Sequence, residues 1–567
     1  MMITVNKLER SDIVAMAAIA LAALAASVPF FYDYLYCIDS ANFALGMHYY
    51  SMEIFQPHPP GYPLFVFLGK ALRFIAGDDN LSLILLANIF ALAGILLFYR
   101  VLAALFGRNT ALWGTLIFAF NPVFWFYREV ALTYAIDCFA TAAALYTAVL
   151  ARASRPGRAF YAQMALLALV AGFRPTSMLL LAGIALFTFI IIVKRERETD
   201  PGGYVRTVIK MTITGSFIFA AIVLAWLAPT VMTTGGIANF LQVIRSFSSE
   251  TSSRTSILDG APMAMVLNQV RYFNSILIAC VLCTLPLLAA GIAALCSRAL
   301  YGRAVKDEGT SFSRMEILLM LACTMLPPVF VYTLVHFGQP GYILILLPAI
   351  MVVAALGIKV LGGTRWGPAV IALSLAAQVF LITVPGTTTY PFRARLYGRH
   401  EPSAVDRVLK GITPYILYFN LSSVREDNLR YSLLIGEIRR FTGGAGPGET
   451  LLIIDQFHPF HEGAEVRMNE PWASHMKYYF PGTDTAIVSG AEGKKGGTIM
   501  KNYRKASEGR DRIRFDRRAR TAVIVTQQLD DRDIPKGLRF TKNRFTYVAD
   551  ISQTDRFSFL GLNFARK

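Results

Sequence analysis

Eleven apolar runs fill the first two thirds of the chain, and they constrain its fold more than any other feature. Each run is about 20 residues long, which is the length that an α-helix needs to cross the hydrocarbon core of a bilayer. The runs lie near 13–32, 81–99, 110–127, 131–151, 159–175, 177–193, 208–230, 274–297, 315–335, 341–360 and 367–385. The sequence therefore predicts a polytopic α-helical membrane protein.

Composition supports this class and divides the chain in two. The 567 residues are 55% hydrophobic and only 16% charged, whereas soluble globular proteins carry about 25% charged residues. Nearly all of the long apolar runs lie in residues 1–386, which are predicted to form the transmembrane domain. Residues 387–567 are mixed and charged, and they are numerous enough for a folded soluble domain.

The region 387–567 alternates strand-like and helix-like patterns, which is typical of a small α/β domain. The strand patterns lie at 451–455, 485–488, 521–526 and 545–550, and the helical patterns lie near 402–440 and 471–479. The predicted fold class is a polytopic helical protein of about eleven spans, with amphipathic helices on the outer surface and a C-terminal extracytoplasmic α/β domain.

The chain carries a formal net charge of +18, which has two interpretations. A basic protein can bind nucleic acid, or its lysines and arginines can hold the membrane topology and attract anionic lipid. We favour the second interpretation and expect membrane lipid, not nucleic acid, as a partner. The first apolar run has no clear small-residue cleavage site, so we expect it to remain as the first helix.

The orientation in the membrane depends on segment 61–77, which is short and is interrupted by Lys70 and Arg73. If this segment lies on the surface and the N-terminus is cytoplasmic, 18 basic residues fall inside and 7 fall outside before the soluble domain. If the segment spans, the counts become 9 inside and 16 outside, against the positive-inside tendency. We therefore predict an interfacial helix at 61–77 and an outward-facing C-terminal domain.

Polar side chains gather at the outer ends of the helices in this topology. They come from the first outer loop, from NPVFWFYREVALTYAID, from the turn AGFRPTS and from HFGQPGY. Scattered polar loop residues would not need to share one side of the membrane, so the shared side indicates a functional site. The candidate residues are Asp39, Asn42, His58, Tyr62, Lys70, Arg128, Glu129, Tyr134, Arg174, His336, Gln339 and Tyr342.

Several candidates also have a plainer interpretation. Asp39 could be a solvated helix cap, and His58, which stands among prolines, could only shape its turn. Arg174 could be an interfacial anchor, and Glu129 could form a surface ion pair with Arg128 that contributes little. Gln339 and Tyr342 could be ordinary loop and interface residues.

Two further segments leave alternatives open. Asp137 is predicted to lie one turn inside its span, where it could be a buried polar lock or a reactant. The outer loop 234–273 carries the polar run SFSSETSSRTS, and we expect it to be mobile when no ligand is bound. This loop could gate a substrate or could be an unremarkable flexible connection.

Outward carboxylates, arginines and aromatic loops at a bilayer surface suit a substrate with a phosphate head and a lipid tail. Arginine binds phosphate through two parallel hydrogen bonds and keeps its charge. If a sugar is attached to the phosphate, Asp39 could take the proton of an acceptor hydroxyl that attacks the anomeric carbon. Positive charge near the leaving phosphate would lower the barrier, and a single displacement inverts the anomeric centre.

The first outer loop resembles that of the GT-C membrane glycosyltransferases, with an acidic residue after the first helix, a Pro-Pro-Gly-Tyr turn and an amphipathic segment. It is most similar to the protein O-mannosyltransferase and lipid A aminoarabinose transferase group. The string HPPGYPL and the segment FWFYREVALTYA resemble a bacterial and eukaryotic O-mannosyltransferase-like branch. The resemblance covers roughly residues 10–350.

This resemblance implies a polyprenyl-phosphate-linked sugar donor and roles for several residues. Asp39 matches the catalytic aspartate of the first loop, although the second acid that often follows it is Ser40 here. Glu129 lies in the second outer loop, where relatives also carry an acidic residue. His58 stands where some relatives have a lysine near the lipid phosphate. The outer loops contain no Asp-X-Asp motif, which favours a metal-independent enzyme without a cofactor.

Together the residues and the resemblance predict an inverting glycosyltransferase of the inner or plasma membrane. It would move a monosaccharide from a polyprenyl-phosphate donor to a hydroxyl of a glycan, lipid or protein acceptor on the outer face. Asp39 and Glu129 are the predicted catalytic residues. Arg174, Arg128, His58 and Lys70 are predicted to bind the donor, and the other candidates are predicted to bind substrate. A flippase for lipid-linked glycans and a non-catalytic envelope scaffold are the alternatives.

Overall fold

The computed structural model describes residues 9–153, 156–305, 312–336, 339–384, 407–408, 411–413, 415, 418–455, 473–491, 494–501, 504–510, 512–525, 538–543, 546–559 and 562–567. The chain folds into two compact units. The first comprises Met1–Phe31 and Tyr62–Val424, and the second comprises Tyr32–Gly61 and Arg425–Lys567. The second unit thus joins the first outer loop to the C-terminal residues. The predicted start of the soluble domain, at 387, lies outside the described residues.

Helices dominate the described chain up to residue 383. They are α1 Arg10–Ala25, α2 Ile38–His48, α3 Pro63–Ala76, α4 Asp79–Phe106, α5 Arg108–Ala119, α6 Pro122–Phe126, α7 Tyr134–Ala153, α8 Pro156–Phe173, α9 Pro175–Leu180, α10 Ala182–Thr199, α11 Tyr204–Thr233, α12 Ile237–Thr255, α13 Met263–Val281, α14 Leu285–Cys296, α15 Arg298–Val305, α16 Arg314–Phe330, α17 Leu347–Gly362 and α18 Gly367–Thr383. All of these except α2 belong to the first unit.

The predicted polytopic helical fold is confirmed. Every apolar run of the sequence coincides with a helix or with two successive helices. Among the described residues, seven helical segments are long and apolar enough to cross a membrane, and α17 and α18 are shorter apolar helices. The seven segments are Arg10–Phe30, Asp79–Phe106, Tyr134–Arg152, Pro175–Thr199, Tyr204–Thr233, Met263–Cys296 and Arg314–Val335.

Local signals explain where the long helices begin and end. The Asp78 carboxylate accepts a hydrogen bond of 2.8 Å from the Leu81 backbone N–H and so caps α4. Gly107 ends the same helix with φ 84°, a conformation that favours glycine. Ser313 and Glu316 form a reciprocal capping box at the start of α16.

Glycines allow close packing between the helices of the first unit. A Cβ atom on Gly357 of α17 would lie 1.8 Å from the Leu287 carbonyl oxygen of α14. A Cβ atom on Gly291 of α14 would lie 2.0 Å from the Val353 carbonyl oxygen of α17. Small residues at such contacts let two backbones approach each other, as is common where helices pack in a membrane.

Segment 61–77 forms the predicted amphipathic helix. Helix α3 has 14 residues, which corresponds to about 21 Å and is short of a bilayer core of about 30 Å. Phe65 and Val66 are buried, whereas Phe74 and Ile75 are 89% and 85% exposed. These exposed apolar side chains suit a helix that lies at a membrane surface.

The expectation that 234–273 is a mobile polar loop is wrong. The chain forms α12 over Ile237–Thr255, a 3₁₀ turn and then α13 from Met263. Apolar residues at 237, 240, 241, 244 and 247 recur at helical spacing and outweigh the weak helix propensity of the serines and threonines. The Thr255 hydroxyl also donates a hydrogen bond of 3.2 Å to the Val335 carbonyl oxygen.

The second unit contains α2, most of α19 Leu421–Thr442, α20 Ala473–Tyr479 and two sheets. The strands are β1 Thr450–Asp455, β2 Asp484–Ala491, β3 Lys494–Lys501, β4 Arg504–Arg510, β5 Arg512–Phe515, β6 Thr521–Val525, β7 Phe540–Lys542, β8 Thr546–Asp550, β9 Arg556–Phe559 and β10 Leu562–Arg566. The seven-stranded sheet has the order β4-β3-β2-β1-β6-β8-β7, and the three-stranded sheet has the order β5-β10-β9. Strand β1 is parallel to β2 and β6, and the other pairs of the large sheet are antiparallel.

The large sheet is covered on both faces, because successive apolar side chains of its central strands point to opposite faces. Leu452 and Ile454 of β1 pack with apolar residues of α19 and α20, including Tyr431 and Met476. Leu451 and Ile453, which point to the opposite face, pack with residues that include Phe564 of the small sheet. The predicted C-terminal α/β domain is therefore confirmed.

Candidate active site

Asp39 stands in the first turn of α2, where a carboxylate is stabilised by the backbone N–H groups of the helix end. Its side chain is 19% exposed, so a substrate can reach it. The neighbouring Cys37 is fully buried, and its burial, with a smaller effect from Asp39, raises the pKa of the thiol to about 12. The thiol therefore stays neutral, and the catalytic role of Asp39 stays a prediction.

The turn after α2 folds back onto that helix. Ser51 and Gln56 form an antiparallel bridge, with N–H···O distances of 2.8 and 2.9 Å. A Cβ atom on Gly46 would lie only 3.1 Å from the Gln56 carbonyl oxygen. Gly61 has φ 101°, and its carbonyl oxygen accepts a hydrogen bond of 2.9 Å from the Tyr50 hydroxyl. These hydrogen bonds and close contacts restrict the backbone conformation of the loop.

The folded turn brings His58 to Asp39. The His58 Nδ1 atom lies 3.5 Å from the Asp39 Oδ1 atom. The imidazole also lies beside Phe43, with 6.1 Å between ring centroids. Asn42 is buried one turn after Asp39 on the same helix. The structure therefore brings together three of the residues predicted for the first loop.

Residues of the C-terminal region hold the segment before α2. The Tyr479 hydroxyl accepts a 2.8 Å hydrogen bond from the Leu35 backbone N–H, and His475 Nε2 lies 3.0 Å from the Leu35 carbonyl oxygen. The Tyr431 hydroxyl donates to the Tyr36 carbonyl oxygen at 3.2 Å. Burial lowers the pKa of His475 to about 3, so its imidazole is neutral at pH 7. Sequence reasoning missed these residues because their partners lie about 400 positions away.

Four other predicted residues meet in the first unit around Arg174. The guanidinium group pairs with the Asp137 carboxylate and lies over two aromatic rings, 4.8 Å from the Tyr134 centroid and 4.3 Å from the Tyr342 centroid. The Tyr134 hydroxyl donates to Gln339 Oε1. The His336 ring lies 5.8 Å from the Tyr342 ring. The AGFRPTS and HFGQPGY turns therefore share one polar and aromatic cluster.

The positive charge of Arg174 is balanced by the Asp137 carboxylate within this cluster. Its side chain is 4% exposed and that of Asp137 is 1% exposed. The Ser177 hydroxyl donates a second hydrogen bond to Asp137, at 2.5 Å. The interfacial-anchor interpretation of Arg174 is wrong, because an anchor would extend its charged group to lipid headgroups. Of the alternatives for Asp137, the contacts favour the buried polar lock.

Arg128 and Glu129 are fully buried, so their interpretation as a surface ion pair is also wrong. The Arg128 guanidinium donates to the Ala119 carbonyl oxygen at 3.1 Å, and it lies 5.3 Å from the Phe124 ring centroid. Neither carboxylate oxygen of Glu129 makes a hydrogen bond of good geometry to another described residue. Glu129 has no exposed surface in the structure, and its catalytic role stays a prediction.

The last two candidates are Tyr62, which lies within the HPPGYP turn, and Lys70, which lies on the helix that follows it. Tyr62 has φ 46° and precedes α3, and Lys70 is exposed on that helix. Within the described residues, no group of three His, Cys, Asp or Glu side chains could hold a metal ion. Metal independence stays a prediction.

A known protein family matches part of the chain. Residues 47–199 match the family model described as the N-terminal domain of the protein O-mannosyl-transferase TMEM260. No curated protein sequence matches the chain.

Two solved structures of ArnT from Cupriavidus metallidurans share the fold. The structure bound to undecaprenyl phosphate has 13% sequence identity and a TM-score of 0.56, and it matches 95% of this chain and 97% of that chain. The apo structure has 14% identity and a TM-score of 0.57, with the same coverage. The chain therefore shares the fold of these ArnT structures, in agreement with the resemblance of its first outer loop.

Proposed function

We propose that the protein is an inverting glycosyltransferase that uses a polyprenyl-phosphate-linked monosaccharide and glycosylates a hydroxyl group on the outer face of the membrane. The observation that carries this proposal is the accessible Asp39 carboxylate at the start of α2, within a fold shared with ArnT. The match of residues 47–199 to an O-mannosyl-transferase family supports the same class of reaction.

Asp39 is the general base of this reaction. The acceptor oxygen forms a bond to the anomeric carbon while its proton passes to the Asp39 carboxylate. The bond between the anomeric carbon and the phosphate oxygen breaks, and the lipid phosphate leaves with the electron pair. Because the acceptor attacks the face opposite the leaving group, one displacement inverts the anomeric configuration. A positioned base of this kind contributes roughly 10²- to 10⁴-fold to the rate.

The proposed donor rests on two observations. The similar ArnT structure contains undecaprenyl phosphate. In this chain Lys70 is exposed on the surface helix α3, whereas Arg128 and Arg174 are buried with their guanidinium groups bound inside the protein. Lys70 is therefore the predicted cation that is best suited to a lipid phosphate, because an ammonium group binds phosphate as a compact charge.

The proposed orientation follows the charge distribution of the loops. A cytoplasmic N-terminus gives the excess of basic loop residues on the inside. Asp39 and the C-terminal α/β domain then face the periplasm or the cell exterior, and the protein resides in the inner or plasma membrane.

A reconstitution experiment tests the enzyme against the transporter and scaffold alternatives. Purified protein in vesicles receives polyprenyl-phosphate donors with different sugars and a pool of hydroxyl acceptors. The proposal predicts release of lipid phosphate together with a glycosylated product of inverted configuration. Movement of intact lipid-linked sugar across the vesicle without phosphate release would contradict the proposal and would support a flippase.

A further inference from the structure

We propose that His58 is a positioning residue for Asp39, with its Nδ1–H group donating a hydrogen bond to Asp39 Oδ1. This inference rests on the proposed function, in which Asp39 is the base. It changes the role predicted for His58, which was contact with the donor phosphate.

The backbone of the loop fixes where His58 lies. The bridge between Ser51 and Gln56 closes the chain just before His58, and Gly46 allows Gln56 to approach α2 closely. After His58, a Cβ atom on Gly61 would lie 2.5 Å from both the Met52 Sδ atom and the Tyr50 hydroxyl. Contacts on both sides of His58 therefore hold the turn against the helix that carries Asp39.

His58 covers one face of α2. Asp39 and Phe43 are four residues apart, so their side chains lie on the same face of the helix. The imidazole meets both, with Nδ1 at 3.5 Å from Asp39 Oδ1 and the ring centroid at 6.1 Å from that of Phe43. Packing against Phe43 restricts the ring, and the restricted ring presents Nδ1 to the carboxylate.

The partial exposure of the two side chains suits the proposed roles of Asp39 as the reacting carboxylate and of His58 as the residue that positions it. The side chains of His58 and Asp39 are 15% and 19% exposed, and the Nδ1 atom itself is buried. The 3.5 Å separation of Nδ1 and Oδ1 is longer than the usual N–H···O hydrogen bond, so the bond is proposed to form when substrate binds. Catalytic hydrogen bonds are often long before substrate binds and shorten in the complex. Nδ1 is therefore close to Asp39 and turned away from solvent.

The proposed role of His58 involves no net chemical change in its own ring. The imidazole carries a proton on Nδ1, and this N–H group donates a hydrogen bond to Oδ1. The second carboxylate oxygen of Asp39 then takes the proton of the acceptor hydroxyl. By restricting rotation of the carboxylate, His58 increases the fraction of Asp39 side chains that are oriented for proton transfer.

Two isosteric variants separate this role from phosphate binding. Asparagine places its side-chain amide nitrogen near the position of imidazole Nδ1, whereas glutamine places it nearer to Nε2. The experiment measures kcat and donor KM for wild type, His58→Asn and His58→Gln, using the reconstituted protein and a polyprenyl-phosphate donor that the wild type accepts. His48→Gln, at the end of the same helix, serves as the matched control, and thermal unfolding in detergent verifies folding of each variant.

The proposal predicts that His58→Gln lowers kcat roughly 10- to 100-fold, the range expected for a hydrogen bond to a charged group. The donor KM stays within about twofold, and His58→Asn recovers most of the lost kcat. An increase in donor KM with unchanged kcat would overturn the proposal in favour of phosphate contact. Equal loss in the two variants, or no loss in either, would overturn it as well.

Failure of this inference can be told apart from failure of the proposed function. Asp39→Asn is assayed beside the His58 variants. If Asp39→Asn is inactive while both His58 variants match the wild type, only the role of His58 is refuted. If Asp39→Asn retains full activity, the proposed base is wrong, and the inference falls with it.

Discussion

The buried ion pair between Asp137 and Arg174 gives the sharpest prediction for stability. The two side chains are 1% and 4% exposed, and Ser177 completes the hydrogen bonding of the carboxylate. Asp137→Asn would leave the guanidinium charge buried without its partner. Breaking a buried pair in this way costs about 3–5 kcal/mol in free energy of unfolding.

A double-mutant cycle makes this prediction quantitative. Unfolding of the purified protein in mixed micelles is followed for Asp137→Asn, Arg174→Met and the double variant. Since the double variant leaves no uncompensated charge, it should lose less stability than the two single losses combined. Ser177→Ala, which removes only the hydroxyl, should lose about 1–2 kcal/mol.

The reasoning would be refuted by two results. A loss of less than about 1 kcal/mol for Asp137→Asn would show that the charge of Arg174 is not dependent on this carboxylate. A variant Arg174→Met with unchanged stability and a raised donor KM would restore Arg174 as a phosphate ligand.

Two further predictions concern the second unit. Gly61→Ala should lower both stability and kcat, because φ 101° disfavours a side chain and the new Cβ would lie 2.5 Å from the Tyr50 hydroxyl. Gly77→Ala, which has space for a Cβ, is the control. Equal effects of the two substitutions on kcat would contradict the role of the Gly61 contacts. The pKa of His475 falls from 6.5 to about 3 on folding, so the unfolded chain binds more protons between these values and stability should decrease as pH falls through that window. Thermal unfolding from pH 7 to pH 4 should show a smaller decrease for His475→Gln than for the wild type, and an identical pH dependence would refute the assignment.

Much of the helical architecture could be predicted from the sequence, because apolar runs of membrane length leave few alternatives. The charge distribution and the interruption of 61–77 by Lys70 and Arg73 also predicted an amphipathic helix there, and the structure has helix α3 in this segment. Strands β1 and β6 were predicted because continuous runs of Leu, Ile and Val are typical of buried parallel strands. Strands β3 and β4 were missed because glycines and charged residues interrupt any apolar pattern there.

The candidate site was predictable only in part. Asp39 and the HPPGYP turn stand near each other in sequence, so their proximity could be inferred, but the direction of His58 depends on the bridge between Ser51 and Gln56. Arg174 was predicted to bind the donor phosphate, and its pairing with Asp137 was missed because that residue is 37 positions away, on another helix. Pairings of this kind depend on tertiary packing and leave no local pattern.

The association of the first loop with the C-terminal region was also beyond sequence reasoning. Hydropathy marks where the membrane helices end, but it does not show which polar segments pack together. The hydrogen bonds from Tyr431 and Tyr479 to the backbone at residues 35 and 36 join segments at opposite ends of the chain. The C-terminal α/β domain therefore supports the segment that carries Asp39.

The most direct test of the central claim is the rate of lipid-phosphate release by Asp39→Asn in reconstituted vesicles. Asp33→Asn, which alters an exposed aspartate of the same loop, is the matched control. We expect Asp39→Asn to lower the rate by at least about 100-fold, the lower bound for a positioned general base, and Asp33→Asn to match the wild type. An Asp39→Asn variant that releases lipid phosphate at the wild-type rate would contradict the claim that Asp39 is the base.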